Sequence, residues 1–228
     1  MLLENTSKIF KKASHAAMRA GRNPGDIKII AVTKTVSVEM IKEAVNVGLR
    51  VFGENRIQEA EKKITNEELR IANSIEWHLI GHLQKNKAKY AVRLFDMIQT
   101  VDSIDLAGEL NRLAEKAGKV QRVLVQVKLS EEESKHGVHE NELRPLLDRV
   151  TGLGNLKLEG LMTIPPFFDD PQQTRPYFRR LRGIRDNMEK AGFKLPELSM
   201  GMSNDFEVAI EEGATMVRIG SAIFGERA

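Results

Sequence analysis

Two stretches carry residue types able to do covalent or anion-binding chemistry. The first is Lys28-Ile29-Ile30-Ala31-Val32-Thr33-Lys34-Thr35, a nearly continuous apolar run that ends on a lysine. An Ile- and Val-rich run of this length reads as a strand buried on both faces, and α/β folds collect reactive groups at the carboxyl ends of such strands. Desolvation of Lys34 there would disfavour its ammonium, lower its pKa and leave an amine able to form a Schiff base. The plainer reading is a lysine that marks where the strand surfaces. The second stretch lies near the other terminus. Gly201-Met202-Ser203-Asn204-Asp205 follows one apolar segment and Arg218-Ile219-Gly220-Ser221 follows the next. Glycine and serine at a strand end offer backbone N–H groups and a hydroxyl to an anion, and Ser203 is expected at a helix N-terminus.

These groups need a scaffold that brings them together. The chain has 228 residues, 41% hydrophobic and 29% charged, an ordinary globular composition. α/β barrels commonly run this long as one unit, so residues 1–228 are expected to form a single domain. Thirty-five basic and 32 acidic residues are interspersed, and aromatics make up 5%, which does not resemble a nucleic-acid surface with stacking platforms. With no cysteine, disulfides, thiolate metal ligands and cysteine nucleophiles are excluded. Glu4, Lys8, Lys11 and Lys12 break up the apolar N-terminus, which is therefore not a signal peptide, and no apolar run approaches a membrane span. A cytoplasmic location is expected.

Hydrophobic periodicity predicts a helix over residues 2–21, closed by Gly21 and the turn Asn23-Pro24-Gly25-Asp26. Eight strand-like segments follow, beginning at Lys28, Leu49, Ile75, Phe95, Val120, Leu156, Glu197 and Thr215. Helical patterns separate them. Ser37 is expected to cap one, Asp102 or Ser103 another, and Ser203 a third that runs to Gly213. Residues 56–72 read as polar helix, 130–139 as a polar loop, 141–150 as a helix containing Pro145, and 172–191 as a long amphipathic helix. Eight alternating units argue for a closed parallel (β/α)₈ TIM barrel. The alternative is an open doubly wound sheet, but no Gly-x-Gly-x-x-Gly follows the first strand and eight is the count that closes. No full helix follows the eighth strand, so the helix at 2–21 is expected to fill that place in the outer ring.

Closure would set strand eight beside strand one, and so Arg218 beside Lys34. Barrels often bind phosphate with the loops after strands seven and eight. A phosphate next to a strand-end lysine suits a phosphorylated aldehyde held as an imine, and pyridoxal 5′-phosphate (PLP) is the obvious candidate. Taken singly, Gly201 and Gly220 could merely permit turns, Ser203 could be a cap, and Arg218 could be a structural ion pair. Their conjunction on adjacent strands carries the inference.

Longer motifs resemble a known family. Val32-Thr33-Lys34, Phe52-Gly53-Glu54-Asn55 with Gln58-Glu59, and Trp77-His78-Leu79-Ile80-Gly81-His82-Leu83-Gln84 with Asn86-Lys87 are similar to the YggS/PROSC family of pyridoxal phosphate homeostasis proteins. So are Glu132-Glu133-Ser134-Lys135-His136-Gly137, Gly160-Leu161-Met162, Leu198-Ser199-Met200-Gly201-Met202-Ser203 and Thr215-Met216-Val217-Arg218-Ile219-Gly220 through Phe224-Gly225. The resemblance covers essentially the whole chain; His82 and Arg56 fall at positions taken as variable. It implies a barrel like the N-terminal domain of alanine racemase, with PLP on Lys34. It also implies Arg218 at the pyridine nitrogen, Ser203, Gly220 and Ser221 at the phosphate, and Asn55 near the lysine and ring. His78 falls within strand three and is expected to be a packed barrel histidine.

An arginine at the pyridine nitrogen stays charged as a donor and favours the unprotonated ring, which weakens carbanion stabilisation. Alanine racemase adds a second domain with a tyrosine base; here Tyr90 and Tyr177 fall on expected helices, away from the strand ends. The reading is therefore a PLP-binding homeostasis protein rather than an enzyme. A racemase-type PLP enzyme and a Schiff-base aldolase acting through Lys34 are the alternatives. Expected partners are PLP itself and PLP-dependent apo-enzymes if cofactor is passed on, with no nucleic acid, no membrane, no metal, and a monomeric chain.

Overall fold

Eight parallel strands hydrogen-bond in chain order, and the last closes on the first, among the described residues 1–70, 75–130, 132 and 135–225 of the computed structural model. They are β1 (Lys28–Val32), β2 (Val51–Glu54), β3 (Glu76–Leu79), β4 (Met97–Val101), β5 (Gln121–Gln126), β6 (Leu156–Met162), β7 (Glu197–Met202) and β8 (Met216–Ile219). The expected barrel is the observed one. Apolar continuity explains the strands: all five residues of β4 are buried, one face inside the barrel and the other under helices.

The helices are α1 (Leu2–Arg19), α2 (Val38–Asn46), α3 (Ile57–Ile64), α4 (Glu67–Arg70), α5 (Ala88–Leu94), α6 (Ile104–Lys116), α7 (Glu140–Thr151), α8 (Arg175–Lys190), α9 (Phe206–Glu211) and α10 (Ser221–Phe224). α1 packs on α9 and α10 and takes the place of the missing outer helix. Asn5 Nδ2 donates to Ile223 O at 3.1 Å, and Arg22 Nη1 donates to Ile210 O and Ala214 O at 2.8 and 2.7 Å. Ser37 caps α2 by accepting the Met40 N–H, and Ser103 rather than Asp102 caps α6 by accepting the Leu106 N–H.

Several boundaries differ from the sequence pattern. Ser203 does not start a helix. Residues 203–205 form a turn closed by Asp205 Oδ1, which accepts the Met202 N–H at 2.6 Å, and α9 begins only at Phe206. The pattern over 172–191 divides into a 3₁₀ turn, Pro171–Thr174, and α8. α7 starts at Glu140 and keeps Pro145 inside. Residues 71 and 72 of the expected polar helix, and Glu133 and Ser134 of the Glu132–Gly137 motif, lie outside the described residues.

The larger core fills the space between sheet and helices and is anchored by the fully buried Phe52, Phe95 and Phe178. A smaller cluster inside the barrel comprises Ile30, Met97, Leu124, Met162 and Met216. Three unbranched methionines suit the irregular space within a tilted barrel. No helix among the described residues is long and apolar enough to cross a membrane.

One glycine sets the spacing of β6 and β7. Gly160 pairs with Glu197, and a Cβ built on it would lie 1.8 Å from Glu197 O, a backbone atom that cannot swing aside. Gly160→Ala is expected to destabilise the barrel by about 3 kcal/mol or more, as overpacking against backbone does. Urea denaturation checks this, and an unchanged midpoint would contradict the close approach.

Candidate functional site

Arg218 points into the barrel and is 3% exposed. Its Nη1 donates to Ser199 Oγ at 2.7 Å and its Nη2 to Thr163 O at 2.8 Å. Burial lowers its pKa to about 10, with Asp205 opposing the shift, so the guanidinium stays charged at neutral pH. Ser199 passes the polarity on by donating to Gln99 Oε1 at 2.6 Å. That turns the Gln99 amide nitrogen toward His78 Nδ1, 2.8 Å away, and leaves the ring proton on Nε2, 2.8 Å from Glu76 Oε1. Every donor in the chain from Arg218 to Glu76 therefore points the same way. His78 is fully buried and packed, as its mid-strand position suggested. The hydrogen bond from His78, with help from Arg122, holds the Glu76 carboxyl down at about 2.

Lys34 stands two residues beyond the end of β1, on a turn clamped from both sides. Thr33 Oγ1 donates to Glu54 Oε1 at 2.6 Å, and Lys63 Nζ donates to Thr33 O, Glu54 Oε1 and Glu59 Oε1 at 2.6, 2.7 and 2.7 Å. Glu59 in turn accepts the N–H of Thr35. Thr35 has φ 63°, a left-handed conformation that a β-branched residue rarely adopts. Such strain persists only where surrounding contacts impose it. Burial raises the Glu54 pKa, and its Oε2 has no partner among the described residues. Lys34 itself is half-buried and makes no hydrogen bond to a described residue.

A cavity of about 620 Å³ opens at the carboxyl ends of the strands. Asn55, Ser203, Arg218, Gly220 and Ser221 all line it, so the structure brings together five of the six residues singled out from sequence. Lys34 does not line it. The wall beside β1 is Val32, the last residue of the strand, and Lys34 lies on the turn that follows it. Lys135 is the lysine that does line the cavity. On the β8 side, the N–H groups of Gly220 and Ala222 both donate to Ser203 Oγ, at 3.2 and 3.4 Å. Ser203 thus serves the β8 loop and not its own helix.

A family model described as the alanine racemase N-terminal domain matches residues 9–228. A pyridoxal phosphate homeostasis protein of Aquifex aeolicus is 47% identical over 225 residues, covering 98% of this chain and 97% of the relative. The chain belongs to the family of pyridoxal phosphate homeostasis proteins. A member from Escherichia coli is 39% identical over 232 residues, with 99% of this chain and 97% of the relative covered. PipY of Synechococcus elongatus, whose structure was solved with PLP bound, is 35% identical with a TM-score of 0.87, covering 99% of this chain and all of that one.

Sequence reasoning missed two features of this family member's site. Gln99 and Ser199 interrupt otherwise apolar strands, and polar residues in fully buried segments were the signal that could have found the chain beneath Arg218. His82 and His136 also line the cavity, on loops after β3 and β5. Tyr177, on α8 as expected, packs its ring 6.0 Å from that of Phe168, a cavity-lining residue, and so lies closer to the site than its helix suggested.

The Glu76 interaction has a defined pH signature. Its folded pKa lies below the ordinary 4.5, so its stabilisation is fully present above 4.5 and is lost as pH falls toward 2. Glu76→Gln is expected to cost about 2–3 kcal/mol at pH 7. The gap from wild type should close between pH 4.5 and 2. Denaturant titrations at several pH values would show it; a gap independent of pH would count against an ionised Glu76.

Proposed function

We propose that this chain binds pyridoxal 5′-phosphate as a single barrel domain and serves PLP homeostasis, holding the cofactor as a Schiff base on Lys34. The observation that carries the reading is the convergence of Asn55, Ser203, Arg218, Gly220 and Ser221 on one cavity, in a chain whose relatives bear that name. The residues present fit the group. Two backbone N–H groups already converge on one acceptor, Ser203 Oγ, and a phosphate oxygen would accept from the same donors together with the Ser203 and Ser221 hydroxyls. Arg218 is held by a hydroxyl and a carbonyl and has no carboxylate among its described hydrogen-bond partners, which suits a neutral ring nitrogen as acceptor. Asn55 lines the same cavity from the end of β2, the strand that pairs with β1 on the side away from β8.

Bound PLP supplies an aldehyde that captures amines and a ring that accepts electrons when its nitrogen is protonated. A guanidinium still charged at neutral pH disfavours that protonation and mutes the electron sink. We therefore read the protein as a carrier or buffer of reactive cofactor, exchanging it with PLP-dependent apo-enzymes, and not as a racemase. A monomeric, cytoplasmic protein fits this role.

Borohydride reduction of the loaded protein followed by peptide mass spectrometry is expected to find one pyridoxyl group per chain, on Lys34. Label on Lys135, the lysine already in the cavity wall, would overturn the assignment.

The non-enzyme reading has its own test. Loaded protein incubated with single L-amino acids in deuterated water is expected to show α-proton exchange at background rate. Rapid exchange or inversion that vanishes in Lys34→Ala would restore the racemase alternative.

A further inference from the structure

Three side chains at the cavity mouth, outside the proposed cofactor contacts, form a set with the chemistry of a metal site. His82 follows β3, Asp102 follows β4 and His136 lies in the loop after β5, so three successive strands each present one group at the carboxyl face. One ligand atom from each lies within 4.8 Å of the other two. His82 Nδ1 and Asp102 Oδ2 are 3.4 Å apart, about the edge of a tetrahedral site with bonds near 2.0–2.1 Å. The imidazoles of His82 and His136 stack with centroids 3.7 Å apart and planes 9° from parallel. We propose that His82, Asp102 and His136 form a binding site for a divalent late transition metal ion of the Zn²⁺ class.

The donor set selects that class. Two imidazoles and one carboxylate suit Zn²⁺, Co²⁺ or Ni²⁺, whereas Mg²⁺ and Ca²⁺ take oxygen ligands. Three protein ligands leave at least one position open, and His82 and His136 both line the cavity, so the open position faces it. Asp102 supplies the charge, its side chain 16% exposed and its Oδ2 set against His82 Nδ1.

The backbone around the three groups is tied by hydrogen bonds and close packing. Gly81 O accepts from Thr100 Oγ1 at 2.8 Å, and a Cβ on Gly81 would lie 2.2 Å from Asn55 O, so the chain entering His82 is tightly packed. His136 O accepts from Gln126 Nε2 at 2.9 Å, and Val138 bridges to Val127. Asp102 sits between the end of β4 and the Ser103 cap. Only the imidazoles must adjust. Face to face, their in-plane lone pairs run side by side, and coordination turns each ring about its Cβ–Cγ bond toward a common point. Exposed side chains make that turn without disturbing the barrel.

This site stands independently of the cofactor reading, and its test separates the two. Chelator-treated wild type and Lys34→Ala are each titrated with Co²⁺, following visible d–d absorption and calorimetric heat. One ion per chain is expected in both proteins. His82→Ala, His136→Ala and Asp102→Asn should each weaken binding at least about tenfold, while His15→Ala, on the exposed face of α1, should not. Wild-type affinity in His82→Ala, no saturable binding, or binding that disappears in Lys34→Ala and so belongs to a complex of PLP, would each overturn the proposal.

Discussion

Burying the Arg218 guanidinium inside a parallel barrel would cost several kcal/mol if its N–H groups met no acceptors. The barrel interior is organised around that need. Ser199 and Thr163 take two of the donors, and Ser199 can accept from Arg218 because its own proton goes to Gln99. Gln99 is fixed by His78, and His78 by Glu76, whose carboxylate also meets Arg122 near the other end of the barrel. The charge at the carboxyl face is thus joined to the carboxylate at the amino face by a continuous chain of hydrogen bonds. With each donor pointing the same way, reversing one member strands its neighbours, and the arrangement specifies one state of the interior.

The apolar part of the interior then has little left to fill. Ile30, Met97, Leu124, Met162 and Met216 plug the barrel beside this chain, while the outer core carries most of the burial. β1 and β8 close through Ile30 opposite Arg218. That register sets the buried cation opposite Ile30, four residues before Lys34 rather than beside it. Fold and site share one constraint.

The barrel, its strand order and the compensating role of α1 were legible because hydrophobic runs and turn residues repeat with the right period. The convergence of five residues on one cavity was legible because a strand end is recognisable in sequence and the ends of β7 and β8 are adjacent in any closed barrel. Two things were not. Ser203 looks like a cap because serine precedes a helical pattern, but Asp205 closes the turn, and the hydroxyl turns to the β8 loop. The environment of Lys34 depends on Glu54, Lys63 and Glu59, and two of these lie on a helix whose rotation about its axis no strand pattern reveals. The polar chain under Arg218 was visible only as isolated oddities, a glutamine in β4 and a serine in β7. Propensity gives no reason to join them.

The clamp at the first strand explains why a threonine tolerates φ 63° beside Lys34. Thr33 and Thr35 flank Lys34 and are both tied to the Glu54–Lys63–Glu59 cluster, one through its hydroxyl and carbonyl, the other through its N–H. Strain in a turn costs of order 1–3 kcal/mol and would relax if either tie were absent. Among the described residues the Lys34 side chain has no such tie of its own. The protein fixes the backbone on both sides of this residue while its amine makes no hydrogen bond to a described residue. The opposite rim follows the same logic, with packed backbone around Gly81 and His136 and exposed imidazoles at its edge.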